Sequence, residues 1–139
     1  MLNKVKLLSF EIWDAETGEA DVIAEFNSSK KLKGFTLDKF QINKEFNVRL
    51  TLFCKEFELT DIKLESKINN LDSKYYTELQ GKIIGSNFND EEGNIITVDA
   101  GEIFVDVYIP FDEMDGKKFS KNSYFNGKGR LDIELPVIP

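Results

Sequence analysis

The chain has 139 residues, a formal net charge of −7, 12 phenylalanines, a single cysteine and no histidine. This length predicts one domain over residues 1–139, and a hydrophobic fraction of 41% excludes a disordered chain. The absence of histidine excludes histidine-based catalysis and histidine-ligated metal centres, and one cysteine excludes an internal disulfide.

The composition also predicts a cytoplasmic protein without a membrane segment. No window approaches the roughly 18 consecutive apolar residues of a membrane-spanning helix, and the N-terminal residues lack the pattern of a secretory signal. The single cysteine is typical of a reducing compartment. The negative charge disfavours nonspecific binding to nucleic acids or anionic membranes, because both require clustered positive charge.

Alternation of apolar and polar residues predicts a hairpin near the N-terminus. Its first strand covers residues 3–14, with Leu8, Phe10 and Ile12 on one face. After the turn AETGE, a second strand covers residues 19–26, and its inner residues are Ala20, Val22, Ala24 and Phe26. The lysine-rich segment SSKKLKG at 28–34 is predicted to be a solvated loop.

A third strand begins at residue 44, and its apolar pattern changes phase after residue 54. Its early inner residues are Phe46, Val48, Leu50 and Leu52, whereas Phe57 and Leu59 fall on the other face. A slip of one residue would expose the whole apolar set, so the pattern predicts a bulge or turn near Lys55 and Glu56. Cys54, at this kink, is predicted to be buried and unreactive.

Residues 60–72 fit two structures. The spacing of Leu64, Ile68 and Leu71 suits a helix, whereas Ile62, Leu64 and Ile68 equally suit a strand. The dipeptide Asn69-Asn70 is a poor helix interior, so strand–turn–strand is favoured.

The second half of the chain predicts further strands over residues 74–86, 95–98, 102–109 and 124–135, separated by turns such as NDEEGN and DAG. In all, about eight or nine strands with little or no helix predict an all-β antiparallel sandwich or barrel. The strand spacing over residues 74–135 is similar to that of a five-stranded OB-type barrel.

Acidic residues dominate the segment GSNFNDEEGNIITVDAGEIFVDVYIPFDEMDG, which covers residues 85–116 and contains no basic residue. Paired carboxylates can hydrolyse glycosides or bind calcium or magnesium, but the loop at 87–94 lacks the EF-hand pattern. Turns also require aspartate, asparagine and glycine for backbone reasons alone. The sequence therefore predicts a protein that is not an enzyme and has no metal site or cofactor.

An aromatic–acid–aromatic stripe is the most informative candidate site. If Ile103, Val105, Val107 and Ile109 face the core, then Phe104, Asp106 and Tyr108 share the opposite face. An exposed stripe of this kind anchors proteins or stacks sugars and bases. The alternative is a covered face on which Asp106 pairs with Arg130 across strands.

These observations favour a non-catalytic interaction domain whose acidic C-terminal half binds a basic protein partner, in an inhibitor-like, immunity-like or phage accessory role. In this hypothesis the aromatic anchors are Phe104 and Tyr108, and the acids that steer association are Asp106, Asp112, Glu113 and Asp115. The alternative is an OB-like module that binds an oligosaccharide or a single-stranded nucleic acid through the same aromatic residues. An exposed strand edge would also permit a homo-oligomer.

Overall fold

The computed structural model describes residues 2–26, 29–71, 75–89, 93–109 and 123–136. The all-β class predicted from the sequence is confirmed. No helix that could cross a membrane occurs within these ranges. Their strands are β1 Asn3–Asp14, β2 Glu19–Phe26, β3 Lys31–Thr36, β4 Glu45–Thr60, β5 Lys67–Asn70, β6 Tyr76–Asn89, β7 Gly93–Asp99, β8 Phe104–Ile109 and β9 Tyr124–Glu134.

The strands form one hydrogen-bonded sheet that closes on itself twice. Its strand order is β1-β2-β3-β9-β4-β8-β7-β6-β5, with additional pairings between β1 and β4 and between β9 and β6. The first ring therefore consists of β1, β2, β3, β9 and β4. The second ring consists of β4, β8, β7, β6 and β9, so the pair β4–β9 belongs to both rings. Strand β5 pairs with β6.

The two shared strands divide their length between the rings. On one edge of β4, residues 45–48 pair with β1 and residues 50–53 pair with β8. The opposite edge of β4 pairs with β9 over residues 49–60. On the edge of β9 that faces away from β4, residues 124–130 pair with β6, and Asp132 then pairs with Phe35 of β3.

Most of these strand pairs are antiparallel, and two contacts are parallel. Strand β8 is parallel to β4, and β3 is parallel to β9 over a single residue pair. Both contacts join strands that are far apart in sequence and close a ring. Hairpin-connected neighbours must be antiparallel, but a ring-closing pair is free of that constraint.

The predicted loop at 28–34 is wrong from residue 31 onward, because β3 occupies Lys31–Thr36. Residue 28 lies outside the described residues. The inner positions of β3 are Leu32, Gly34 and Thr36, which are buried, while the alternate positions are more exposed. Only Leu32 among them is large and apolar, so the alternation is weak in the sequence. Gly34 is required by packing, since a Cβ there would lie 2.5 Å from the Ile133 side chain.

The predicted inner face of β1 is only partly correct. Val5 and Leu7 are buried, whereas Ile12 is 49% exposed. The β1–β2 register shifts between Leu7 and Ser9, and this bulge changes which face of the strand points inward. Phe10 remains partly buried and packs edge-on against Phe40.

Several predictions for the middle of the chain are confirmed. The β4–β9 register shifts between Cys54 and Glu56, as the change of apolar phase indicates, and Cys54 is buried. Residues 67–70 form a strand that pairs with β6, which excludes the helix alternative there. Ile62 and Leu64 lie outside this strand, and residues 72–74 of the predicted turn lie outside the described residues. The second ring contains β6, β7, β8 and β9 and is closed by β4. Strand β4 lies outside residues 74–135, the segment whose strand spacing is similar to that of an OB-type barrel.

Candidate functional site

The predicted aromatic stripe lies on the outer face of β8. Val105, Val107 and Ile109 are buried, and the alternate residues Phe104, Asp106 and Tyr108 are partly exposed, as the alternation predicted. The other predicted site residues, Asp112, Glu113 and Asp115, lie outside the described residues.

Asp106 forms a structural cross-link, and its predicted pairing with Arg130 is wrong. The Arg49 Nε donates a hydrogen bond to Asp106 Oδ2 at 2.7 Å, and the Thr97 hydroxyl donates to Oδ1 at 2.8 Å. The pairing with Arg49 follows from the parallel contact of β8 with β4. Because its side chain is only 13% exposed and both oxygens are bonded, Asp106 contributes to the sheet and little to the open surface.

Phe104 marks the junction of the two rings on the β4 edge. The Asn3 side-chain amide donates to the Phe104 carbonyl, and its oxygen accepts from the Phe104 N–H, both at 2.8 Å. Strands β1 and β8 pair with successive parts of the same edge of β4 and lie end to end there. The Asn3 amide makes the two hydrogen bonds that link this end of β1 to the start of β8. The Asn3 side chain therefore connects the two rings at the point where β1 ends and β8 begins along β4.

Tyr108 belongs to a longer feature, which we call the aromatic row: Trp13, Phe35, Arg130, Phe53 and Tyr108. The Arg130 guanidinium lies 5.0 Å from the Phe35 ring centroid and 4.8 Å from that of Phe53. The row continues to Tyr108, 5.7 Å from Phe53, and to Trp13, 6.4 Å from Phe35. It therefore crosses strands of both rings, combining cation–π and ring–ring contacts.

Asp132 holds Arg130 in the centre of the row. The Arg130 Nε donates to Asp132 Oδ1 at 2.8 Å, and Nη2 donates to Oδ2 at 3.2 Å. Burial raises the pKa of the Asp132 carboxyl to about 6, although the adjacent Arg130 opposes this rise. At neutral pH the carboxylate is mostly ionised, so it fixes the orientation of the guanidinium.

Tyr75 fills the gap beside Arg130 where β9 changes its neighbour from β6 to β3. The Leu131 N–H donates to the Tyr75 carbonyl at 2.9 Å, and the Tyr75 ring packs edge-on against Phe35 at 5.8 Å. The Tyr75 hydroxyl donates to the carboxylate of Asp21. Tyr75 is buried, so it packs against the inner side of the row and is not part of the exposed surface.

The row offers chemistry for recognition. Trp13 and the Arg130 side chain are each 48% exposed, whereas the guanidinium covers ring faces of Phe35 and Phe53. Within the described ranges, no three histidine, cysteine, aspartate or glutamate side chains are placed to hold a metal ion. Sequence alternation identified only Tyr108 of the row, because the other members lie on strands distant in sequence.

The closed rings define a barrel-like all-β fold. No protein-family model and no curated protein matches the chain. Among solved structures, it is similar to the cytoplasmic molybdate-binding protein ModG with molybdate bound, at a TM-score of 0.51. The match covers 98% of this chain and 96% of that chain at 10% sequence identity, so the likeness concerns the fold alone.

Proposed function

We propose that this protein is a non-catalytic, cytoplasmic interaction domain whose aromatic row anchors a basic protein partner. The observation that carries the proposal is the continuity of Trp13, Arg130 and Tyr108 with two phenylalanine rings on one outer surface. Tryptophan, tyrosine and arginine are the residue types that contribute most to protein–protein binding hot spots. An inhibitor-like, immunity-like or phage accessory role would use such a surface.

The covered ring faces favour a protein partner over a stacked ligand. A base or sugar stacks on an open aromatic face. In the row, Arg130 occupies a face of Phe35 and of Phe53, and Tyr108 packs beside Phe53. A protein side chain can instead contact the exposed edge of the guanidinium and the half-exposed Trp13 ring.

The charges support a basic partner. Within the row and its support, Arg130 is bonded to Asp132 and Arg49 to Asp106, so these cations are locally neutralised. The net charge of −7 therefore remains to steer association from a distance. We retain Asp112, Glu113 and Asp115 as steering residues in this proposal. Their reversal to lysine is expected to slow association in a salt-dependent manner.

The test begins with affinity capture from a lysate of the native source, using wild-type protein and the Trp13→Ala and Arg130→Ala variants as baits. Ile62→Ala serves as a matched control, because Ile62 is 74% exposed and lies outside the row. The purified partner is then titrated against each variant by calorimetry. We expect Trp13→Ala and Arg130→Ala to weaken binding at least about tenfold and the control to leave it unchanged. Equal affinities for all variants would refute the row as the anchor.

A second candidate function is binding of an oligosaccharide at the same row. The half-exposed Trp13 ring packs against Phe35, which also contacts the Arg130 guanidinium, and this arrangement favours it because sugars stack on aromatic rings. A single-stranded nucleic acid would meet the opposing net charge. Thermal-shift screening of neutral glycans, oligonucleotides and molybdate tests this class. A ligand whose shift disappears in Trp13→Ala would favour it over the protein partner.

A further inference from the structure

Within the described residues, the outer half of β1 is an unpaired strand edge at the end of the aromatic row. Residues 3–6 pair with β4, but among the described residues 8–14 pair only with β2. The Leu7 N–H donates to the Lys44 carbonyl at 3.0 Å, and the Asn43 N–H donates to the Leu7 carbonyl at 2.7 Å. In the part of the chain that the structure describes, Leu7 is therefore the last β1 residue whose backbone is bonded from that side.

The ladder phase identifies the backbone groups that face outward. Since the Leu7 backbone points away from β2, the bulge that follows directs the backbone of Ser9, opposite Ile23, toward β2. In an antiparallel ladder the direction alternates, so Phe10 and Ile12 turn their N–H and C=O groups to the open edge. These groups are the ones to which an added strand would bond.

The hairpin that carries this edge is acidic throughout. Between residues 7 and 29 there is no lysine or arginine, and the acids are Glu11, Asp14, Glu16, Glu19, Asp21 and Glu25. Asp21 is neutralised by Lys33 at 3.3 Å, whereas Glu11 on β1 and Glu16 in the turn that follows β1 are exposed. Ile12 and Trp13, each about half-exposed, add apolar surface at the same place.

We infer that the partner protein in the proposed function adds an extended, basic segment to β1 as an antiparallel or parallel strand. The unpaired edge, its acidic surroundings and its apolar residues all favour this mode of binding. Main-chain bonds to Phe10 and Ile12 supply the pairing, and alternate lysine or arginine side chains meet Glu11 and Glu16. The inference rests on the proposed function for the identity of the partner. It adds the mode of recognition and the chemistry of the recognised segment.

Amide hydrogen exchange, resolved by residue with NMR, tests the inference. The probe is a seven-residue peptide of alternating lysine and valine, and the control peptide has proline at its central positions, which removes backbone donors. We expect saturating probe to slow exchange at Phe10 and Ile12 by about tenfold or more and to leave Ser9 and Glu11 unchanged. Replacing Glu11 and Glu16 by lysine should weaken this protection, whereas Glu65→Lys, an exposed acid elsewhere, should not.

The same measurement on the complex with the captured partner separates the two proposals. Partner binding through the aromatic row with unchanged exchange at Phe10 and Ile12 would overturn strand addition and leave the proposed function intact. Peptide-induced protection that persists in Arg130→Ala, together with row-independent partner binding, would support the edge and refute the row. Protection that rises with protein concentration alone would assign the edge to a second copy and overturn the inference.

Discussion

Replacement of Asp106 by asparagine tests whether this residue is structural. Asparagine keeps the size of the side chain and an oxygen that can accept from Thr97, but it removes the negative charge that faces Arg49. The Arg49 Nε lies 2.7 Å from Asp106 Oδ2, within the range of a charge-assisted hydrogen bond.

The exposure of the two partners sets the expected loss. Asp106 is 13% exposed, so its carboxylate is largely shielded, but Arg49 is 38% exposed and can be hydrated once its partner is neutral. The loss therefore lies below that of a fully buried pair and above that of a surface pair, at about 1–2 kcal/mol. For a chain of this length we expect the melting temperature to fall by roughly 3–8 °C.

Urea denaturation and calorimetry of Asp106→Asn measure this effect, with Glu58→Gln as an exposed control that should change stability by less than about 0.5 kcal/mol. A variant as stable as the wild type would refute the structural assignment. Weakened partner binding at unchanged stability would restore the steering role that the sequence suggested.

Three further changes test the same structural reasoning. Gly129→Ala should destabilise the fold by about 3 kcal/mol or more in urea titrations, because its Cβ would lie 2.1 Å from a carbonyl oxygen of β4. Gly85→Ala is the matched control, because the space around Gly85 is open. Burial raises the pKa of Asp132 to about 6 from 3.8, so the folded state binds this proton more tightly and the contribution of Asp132 to stability declines as pH rises from 4 through 6. With partial solvent screening, Asp132→Asn should remove about 1–2 kcal/mol of the stability difference between pH 4 and pH 7, and an unchanged pH profile would contradict this. Asn3→Ala should cost about 2 kcal/mol, measured by urea denaturation, because it leaves the Phe104 backbone groups without their partner; a cost near zero would mean that the amide does not join the rings.

Local alternation predicted the strands whose inner positions are large and apolar. Strand β8 is an example, because Val105, Val107 and Ile109 all face the core. Strand β3 was missed because Gly34 and Thr36 hold two of its inner positions. Strand β1 was assigned one phase along its whole length, although a bulge after Leu7 separates the buried Val5 and Leu7 from Phe10 and Ile12. Pattern thus reveals a strand only where burial is achieved by apolar side chains rather than by close backbone contact.

The candidate site shows a second limit. The alternation correctly placed Phe104, Asp106 and Tyr108 on one face of β8. It assigned the wrong partner to Asp106, because Arg49, 57 residues away in sequence, reaches it only through the parallel contact between β4 and β8. Register between distant strands depends on ring closure, which a single strand's pattern does not encode.

Ring closure also explains why the aromatic row lies where it does. Strand β9 pairs with β6 as far as Arg130 and with β3 at Asp132, so the side chain at the change of neighbour is bordered by both rings. Phe35 approaches from the first ring and Tyr108 from the second, while Phe53 lies on the shared strand β4. If the row depends on the joint between the rings, loosening that joint must disturb it. Weakening the contact between Asn3 and Phe104 should therefore reduce partner affinity, although neither residue belongs to the row.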